Sequence, residues 1–363
     1  MEKKLRVGII GATGMVGQRF ACLLENHPWF DIVALAASKR SSGLTYEEAV
    51  GDRWKMPTAM PEKYKKMVIM DADNVEEVCS KVDFVFCAVS LNKEETKKLE
   101  ERYAKCETPV VSNNSANRHT DDVPMIIPEI NGEHAKVIES QRKRLGTTRG
   151  FIAVKPNCSI QSYVPALNAL KEFGLEEVVV STYQAISGAG KTFNECPEML
   201  DNVIPYIGGE EEKSEIEPLK IWGTVENDII VDAKTPVISA QCIRVPVLDG
   251  HLATISVKFK NKPTEKQIID AWNNYKASDM VLNLPSAPKQ FIRYMEEDNR
   301  PQTHLDRDYE NGMGISMGRL REDKIFDYKF VGLSHNTLRG AAGGGVLSAE
   351  YLTLLVISLL SKI

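Results

Sequence analysis

Leu5-Arg6-Val7-Gly8-Ile9-Ile10-Gly11-Ala12-Thr13-Gly14-Met15-Val16-Gly17 is the stretch whose reading decides the fold. A short apolar run reaches Ile10, glycines at 8, 11, 14 and 17 recur every three residues, and a helical pattern extends from about Met15 to Glu25. Glycine at such a turn permits a tight reversal and close backbone approach, so that the helix N-terminus can face a pyrophosphate. The same glycines would equally serve a tight strand-to-helix turn that holds nothing. The surroundings favour the ligand. Asp31–Ala37, Met67–Met70, Phe84–Val89 and Val110–Ser112 are further apolar runs, with helix-like segments such as Lys93–Lys105 between them. This alternation predicts a parallel sheet with right-handed crossovers. The runs are continuous rather than alternating, as strands buried on both faces require. Gly11 and Gly14 thereby become cofactor-binding candidates.

The end of the second run bears on which dinucleotide would bind. An NAD site places Asp or Glu there to hold the ribose hydroxyls. This chain instead has Ser38-Lys39-Arg40-Ser41-Ser42-Gly43. A carboxylate repels a 2′-phosphate, whereas hydroxyls and a guanidinium bind one, so Ser38, Arg40 and Ser41 favour NADP. Short-chain dehydrogenases share the glycine turn but need a Tyr followed by Lys four residues later. None of the 11 tyrosines has it, which excludes that class.

Near Phe151 the texture changes. Phe151–Val154 leads into Pro156-Asn157-Cys158, and a helical pattern runs to Phe173, with Gly174 as the expected C-terminal cap. Pro165 interrupts that helix, which is therefore kinked or begins later. Val178–Ile186, Ala240–Pro246 and Ala253–Lys260 read as longer strands of a mixed or antiparallel sheet. Leu282–Arg321, rich in Pro, Asn and Asp, reads as a loop-rich insertion. Val331-Gly332 ends the sheet and a tail helix follows. The fold class is α/β: a Rossmann-type nucleotide-binding domain over 1–155, completed by a C-terminal helix over 337–363, and an α+β domain with a mixed sheet over 156–336.

Composition agrees with this division. At roughly 150 residues per domain, 363 residues correspond to about two and a half domains. The net charge of −5, from 45 basic and 50 acidic residues, argues against a general polyanion binder, so no nucleic-acid partner is expected. The start, Met-Glu-Lys-Lys-Leu-Arg, runs straight into a strand pattern, and no targeting leader is expected. Val346–Leu360 is shorter than the roughly 20 residues a membrane span needs and carries Glu350 and Ser358, so a buried helix is expected. Seven cysteines without a C-x-x-C pair argue against a disulfide framework or zinc ribbon, and a cytoplasmic location follows as the expectation.

Six of these cysteines sit in apolar or helical contexts and read as core. Cys158 differs, because it follows Pro-Asn at a strand-to-helix junction and is expected on the first turn of a helix. The partial positive charge there would stabilise a thiolate, and the free N–H groups would serve as oxyanion donors. A second polar cluster is Cys242-Ile243-Arg244-Val245-Pro246-Val247-Leu248-Asp249-Gly250-His251. Arg244 falls near a strand end, suited to a carboxylate, and His251 falls just past a turn, suited to acid/base work. The alternative is a loop His and a surface Arg. The histidines at 27, 119, 134, 304 and 335 show no metal-ligand spacing, so no metal is implied. Ser112–Arg118 follows the fifth strand at the edge where such sheets bind ligands, and Gly208–Lys213 reads as a solvated charge run.

Taken in order, several segments resemble the aspartate-semialdehyde dehydrogenase family, in the branch found in archaea, fungi and some bacteria. They are G-A-T-G-M-V-G-Q-R (Gly11–Arg19), S-N-N-S-A-N-R (Ser112–Arg118), P-N-C-S (Pro156–Ser159), Y-Q-A-I-S-G-A-G (Tyr183–Gly190), G-G-E-E-E-K (Gly208–Lys213), C-I-R-V-P-V-L-D-G-H (Cys242–His251) and N-T-L-R-G-A-A-G-G (Asn336–Gly344). The resemblance covers nearly the whole chain. It implies Cys158 as nucleophile and His251 as acid/base, with Gln184 near the acyl group. It further implies Arg244 and Glu210 at the amino-acid end of the substrate, and Arg118 with Lys213 at its phosphate. Thr13, Gly14, Met15, Val16, Ser38 to Ser41, Gly188 and Asn336 would contact NADP.

The implied reaction is reversible reductive dephosphorylation of 4-phospho-L-aspartate to L-aspartate 4-semialdehyde through a Cys thioester, in the biosynthesis of lysine, methionine, threonine and isoleucine. The resemblance also implies a homodimer or homotetramer, with the 156–336 domain catalytic and dimerising, and Leu282–Arg321 and the final helix in subunit contacts. N-acetyl-glutamyl-phosphate reductase lacks this Pro-Asn-Cys-Ser context, and glyceraldehyde-3-phosphate dehydrogenase usually has Ser-Cys-Thr-Thr-Asn. Two alternatives stay open on sequence: a malonyl-CoA reductase of the same architecture, and a non-catalytic Rossmann-type regulator.

Overall fold

β1 (Leu5–Ile10) lies inside a six-stranded, all-parallel sheet in a computed structural model that describes residues 3–357. Its companions are β2 (Phe30–Ala37), β3 (Met70–Asp71), β4 (Phe84–Cys87), β5 (Val110–Ser112) and β6 (Ile152–Val154), in the order β3-β2-β1-β4-β5-β6. The order reverses between β1 and β4, which opens the crevice where doubly wound sheets bind ligands. The glycine turn sits at that crevice. Gly11 has φ +90°, and a Cβ there would stand 2.3 Å from the Ala88 carbonyl oxygen. A Cβ on Gly17 would stand 2.3 Å from the Gly11 carbonyl oxygen, so its absence lets the helix Met15–Leu24 seat on the turn. The expected third strand is shifted: β3 begins at Met70, and Val68 instead bridges Thr45 in antiparallel sense.

A second six-stranded sheet follows. β7 (Leu175–Gln184), β10 (Val237–Arg244), β11 (His251–Phe259), β12 (Ile292–Met295), β13 (Ile315–Glu322) and β14 (Tyr328–Ser334) lie in the order β10-β7-β11-β14-β13-β12. β8 (Thr224–Glu226) and β9 (Ile229–Val231) form a separate hairpin. β10 runs parallel to β7 and β12 parallel to β13, while the other pairings are antiparallel, so the sheet is mixed. Along β11 every second residue is buried, and Ala253, Ile255 and Val257 share one core with Val178, Val180, Phe330 and Trp272. Each of the larger side chains, valine upward, contributes about 1.5–3 kcal/mol of burial free energy.

Three expectations need correction. The helix expected from Cys158 to Phe173 is broken into a 3-10 turn (Ser159–Ser162), a short helix (Val164–Asn168) and a second 3-10 turn (Lys171–Phe173). Tyr163 is non-helical at φ −139°, and Pro165, which has no N–H to donate, falls in the first turn of the piece after it. Leu282–Arg321 is not merely a loop-rich insertion, because it supplies the edge strand β12 and most of β13. β13 is buried on both faces over Ile315–Gly318 and contains a glycine, so it shows no alternation to read. The tail starts as a wide turn over Leu338–Ala342, continues as a helix over Gly343–Leu352, and widens again over Thr353–Ile357. All ten residues of Gly343–Leu352 are buried within the chain, against Val7, Ile9 and Phe20 of the first sheet's core. They close the nucleotide-binding half. Residues 358–363, the end of the expected helix, lie outside the described residues.

The site is set by where these strands end. β7 and β10 finish side by side at Gln184 and Arg244, and antiparallel β11 starts next to them at His251. β6 ends at Val154, and Lys155-Pro156-Asn157-Cys158 carries the chain from one sheet toward the other.

Candidate active site

Asn157 fixes the turn that presents Cys158. Its Oδ1 accepts from the Ser159 N–H at 2.7 Å and the Ser159 hydroxyl at 2.8 Å, a side-chain mimic of a backbone turn. Cys158 caps the 3-10 turn that follows. A four-residue 3-10 turn has little aligned dipole, so the expected stabilisation of a thiolate by a helix N-terminus is not realised. Burial pushes the thiol up to about 11 and Glu210 adds to this, while Lys155, Arg118 and Arg244 pull it down. The resting group is a thiol. It lines a cavity of about 310 Å³.

His251 meets that thiol. Its Nε2 lies 3.4 Å from Cys158 Sγ, and its Nδ1 accepts the Ala185 backbone N–H at 3.0 Å. A neutral imidazole that accepts at Nδ1 carries its proton on Nε2, facing the sulfur. Burial, then Arg244 and His335, hold the ring far below the ordinary histidine value, so it is neutral at physiological pH. Gly188 packs against His251 and Arg244: a Cβ there would stand 3.0 Å from Arg244 Nη1 and 3.1 Å from His251 Nε2. Arg244 itself donates to the Ala185 carbonyl at 2.7 Å.

The run Gly208–Lys213 is not a solvated charge run. Glu210 begins the helix Glu210–Ile221, which buries Ser214, Glu217 and Lys220. The Glu210 carboxylate accepts from Lys213 Nζ at 2.7 Å, from Asn157 Nδ2 at 3.0 Å and from Gln184 Nε2 at 3.3 Å. Burial raises its pKa, but these donors, Lys213 foremost, outweigh burial and hold it below the usual range. Arg118 donates to Glu217 at 2.8 Å and to the carbonyls of Lys155 and Asn113 at 3.0 Å each. A guanidinium has five N–H groups, so two remain for an anion. Glu217 uses its other oxygen to accept the Asn157 N–H at 2.6 Å, which ties Arg118 to the loop of Cys158.

The same cavity reaches the glycine turn. Met15, Val16, Gly188, Gly190, Asn336, Arg118, Lys213, Glu210 and Cys158 all line it. Gln184, Arg244 and His251 stand behind that lining, and Gly11, Thr13 and Gly14 lie at its nucleotide end, on the turn leading into Met15. Asn336 bridges the Ser187 hydroxyl and the Gly250 N–H, both at 2.8 Å. Beyond β2, Ser38 and Arg40 are exposed and Ser41 is buried. The residues present fit a dinucleotide: Met15 and Val16 present the start of a helix to the cavity, and the glycine turn leaves room there. Sequence reading passed over Glu217, Lys155 and Asn157 as functional groups, since nothing in their spacing marks burial beside a thiol. Among the described residues no group of three His, Cys, Asp or Glu is arranged to hold a metal ion, and no helix is long and apolar enough to cross a membrane.

Comparison with known proteins agrees with this fold. A family model described as semialdehyde dehydrogenase, NAD binding domain, matches residues 6–138, and one described as semialdehyde dehydrogenase, dimerisation domain, matches 167–339. The aspartate-semialdehyde dehydrogenase of Schizosaccharomyces pombe is 44% identical over 95% of this chain and 97% of its own length. That of Methanothermobacter thermautotrophicus is 40% identical over 95% and 98%. The crystal structure of the Candida albicans aspartate-semialdehyde dehydrogenase with NADP superposes with a TM-score of 0.85 at 37% identity, covering 98% of this chain and 99% of that one.

Proposed function

This chain belongs to the aspartate-semialdehyde dehydrogenase family, and from that premise we propose how its residues divide the work. The reaction is NADP-dependent and phosphorylating, and interconverts L-aspartate 4-semialdehyde plus phosphate with 4-phospho-L-aspartate in amino-acid biosynthesis. The observation that carries the assignment is Cys158 Sγ at 3.4 Å from His251 Nε2, in one cavity with Arg118 and Lys213.

In the biosynthetic direction the Cys158 sulfur attacks the acyl carbon, the C–O bond to phosphate breaks, and the departing phosphate takes up the thiol proton and leaves as hydrogen phosphate into the field of Arg118 and Lys213. Two cations there stabilise the departing charge. The Glu210–Lys213 and Arg118–Glu217 pairs keep both cations aimed at the cavity before substrate arrives. Arg244 takes the substrate carboxylate, Glu210 its ammonium, and Gln184 lies near the acyl group. When bound, NADPH supplies the hydride that takes the Cys158 thioester to the aldehyde level. His251 Nε2–H gives a proton to the oxygen that gains charge, and takes it back as the thiohemiacetal collapses. Gly11, Thr13, Gly14, Met15 and Val16 hold the pyrophosphate side, Ser38, Arg40 and Ser41 the 2′-phosphate, and Gly188 with Asn336 the nicotinamide side.

We divide the chain at 155 and 336, with the tail returning to the first domain. The enzyme is a cytoplasmic homodimer or homotetramer, for which a dimerisation-domain match over 167–339 is the support. The test is oxidation of the aldehyde followed by the absorbance of NADPH, with phosphate or coenzyme A as acceptor and NADP or NAD as oxidant. Phosphate-dependent turnover preferring NADP is expected. Turnover that needs coenzyme A, or a strong NAD preference, would overturn the reading.

A further inference from the structure

Glu100 is a carboxylate the mechanism leaves unused. It lies on the helix Lys93–Lys105, between β4 and β5, and is fully buried. A carboxylate in the interior is costly unless hydrogen-bonded, and such an acid normally has a cation beside it. Glu100 has neutral partners instead. Its Oε1 accepts from the Ser112 hydroxyl and from Asn114 Nδ2 at 3.3 Å, and its Oε2 accepts from Asn117 Nδ2 at 2.7 Å. All three donors stand in the segment Ser112–Arg118 at the end of β5.

The arrangement of donors selects a carboxylate. Ser112 Oγ already accepts the Asn114 N–H at 3.0 Å, so its proton is free to point at Glu100. Asn117 Oδ1 accepts from the Thr120 hydroxyl at 3.3 Å, which turns its Nδ2 toward Glu100. A carboxylate offers acceptors only, and both of its oxygens meet O–H or N–H groups here. A glutamine of the same shape would set its NH2 against one of those donors. Burial raises the pKa of Glu100, while Ser112, Asn117 and Asn114 pull it down.

The same loop faces the cavity, which Asn113, Asn114, Ser115 and Arg118 line. Glu100 grips residues 112 and 114, on both sides of Asn113, and residue 117, next to Arg118. Arg118 Nη2 donates to the Asn113 carbonyl at 3.0 Å, and the Arg118 backbone N–H donates to the Ser115 carbonyl at 3.3 Å. The guanidinium is thus aimed by a carbonyl that Glu100 brackets.

We propose that Glu100 is a positioning residue for Arg118, its carboxylate gathering the loop Ser112–Arg118 so that the guanidinium meets the phosphate. The inference rests on the phosphate role of Arg118 proposed above. Glu100 does not line the cavity, so its effect reaches the substrate only through the loop. Glu100→Gln separates this role from space filling, because it keeps the volume and changes only the acceptors.

The experiment is steady-state oxidation of the aldehyde with phosphate varied, in the full-length wild type, Glu100→Gln, Arg118→Ala and the double variant. NADPH binding by fluorescence reports the fold. Glu100→Gln should raise KM for phosphate about fivefold and leave KM for the aldehyde within about twofold, since a charge-assisted contact is misaimed rather than lost. In the Arg118→Ala background the same change should add little, as expected of two residues that act on one contact. A wild-type KM for phosphate in Glu100→Gln, beside a raised one in Arg118→Ala, would overturn the proposal and leave the phosphate role of Arg118 standing. Additive effects in the double variant, or equal losses for phosphate and aldehyde, would overturn it as well. An unaltered KM for phosphate in Arg118→Ala would sink the phosphate role itself and the proposal with it. If Glu100→Gln does not bind NADPH, Ser112→Ala takes its place, removing one donor and leaving the carboxylate. It should raise KM for phosphate about threefold, and an unchanged value would overturn the proposal.

Discussion

At the active site burial favours the protonated sulfur of Cys158 while the cations around it favour the thiolate, and each neighbour can be weighed by what it does to that sulfur. Removing the sulfur removes the covalent intermediate, so Cys158→Ala should lower kcat by about 10⁴-fold or more. The cavity keeps its cofactor contacts, so NADP titration should give near-wild-type affinity. Wild-type-like turnover would refute the nucleophile. Arg118 and Lys213 belong to a different part of the substrate. Arg118→Ala and Lys213→Ala should each raise KM for phosphate roughly tenfold, with a smaller effect on the aldehyde, because a charge-assisted bond to an anion is worth about 1.5–3 kcal/mol. Equal effects on both substrates in steady-state kinetics would count against the pairing. Cys158 and His251 were legible as isolated residues, since a Pro-Asn-Cys junction and a post-turn His carry recognisable chemistry. Lys155 and Glu217 were not, because only the fold decides that they are buried.

Among the elements, the glycine turn is the most constrained by its own sequence. Gly17→Ala forces a methyl to within 2.3 Å of the Gly11 carbonyl oxygen, a backbone atom that cannot rotate away. Overpacking of this kind costs about 1–3 kcal/mol. The variant should show a lowered Tm and a weakened NADPH titration, whereas an unaltered protein on both counts would show that the turn has slack. The parallel strands of the first sheet were readable because continuous apolar runs need no alternation. β12 and β13 were hidden, since one is a four-residue edge strand and the other is interrupted by Gly318. The helix after Cys158 was overdrawn, for hydrophobic periodicity does not record that Tyr163 and Pro165 break the hydrogen-bond ladder.

Across the whole molecule, Lys55 is one of the contacts that tie the two halves at the cavity. Its Nζ donates to the Gly190 carbonyl at 2.6 Å and pairs with Glu195 at 2.7 Å, while its own N–H is held by Gln18 Oε1 at 2.8 Å. Gln18 belongs to the helix that starts at the glycine turn, so the clasp links the nucleotide end to the loop that carries Gly188 and Gly190. Glu195 is partly exposed, so the pair contributes at most about 1 kcal/mol. Lys55→Ala should therefore raise KM for NADPH two- to fivefold in steady-state assays and leave kcat nearly intact. A large loss of kcat with unchanged KM would place Lys55 in the chemistry instead.

By itself the sequence determined the α/β class and the parallel sheet with its glycine turn, and it singled out the thiol and the imidazole that the fold brings within 3.4 Å of each other. These depend on local patterns: apolar continuity, glycine spacing and the residue types at strand ends. Only the tertiary structure decided which charges matter. Composition alone leaves Glu210 and Lys213 as surface charge, and only the resemblance drew them toward the substrate; Glu217 and Lys155 read as ordinary charged residues until the fold buries them. The physical reason is that a charge gains its effect from desolvation and from its partners, and both are supplied by segments far away in the chain.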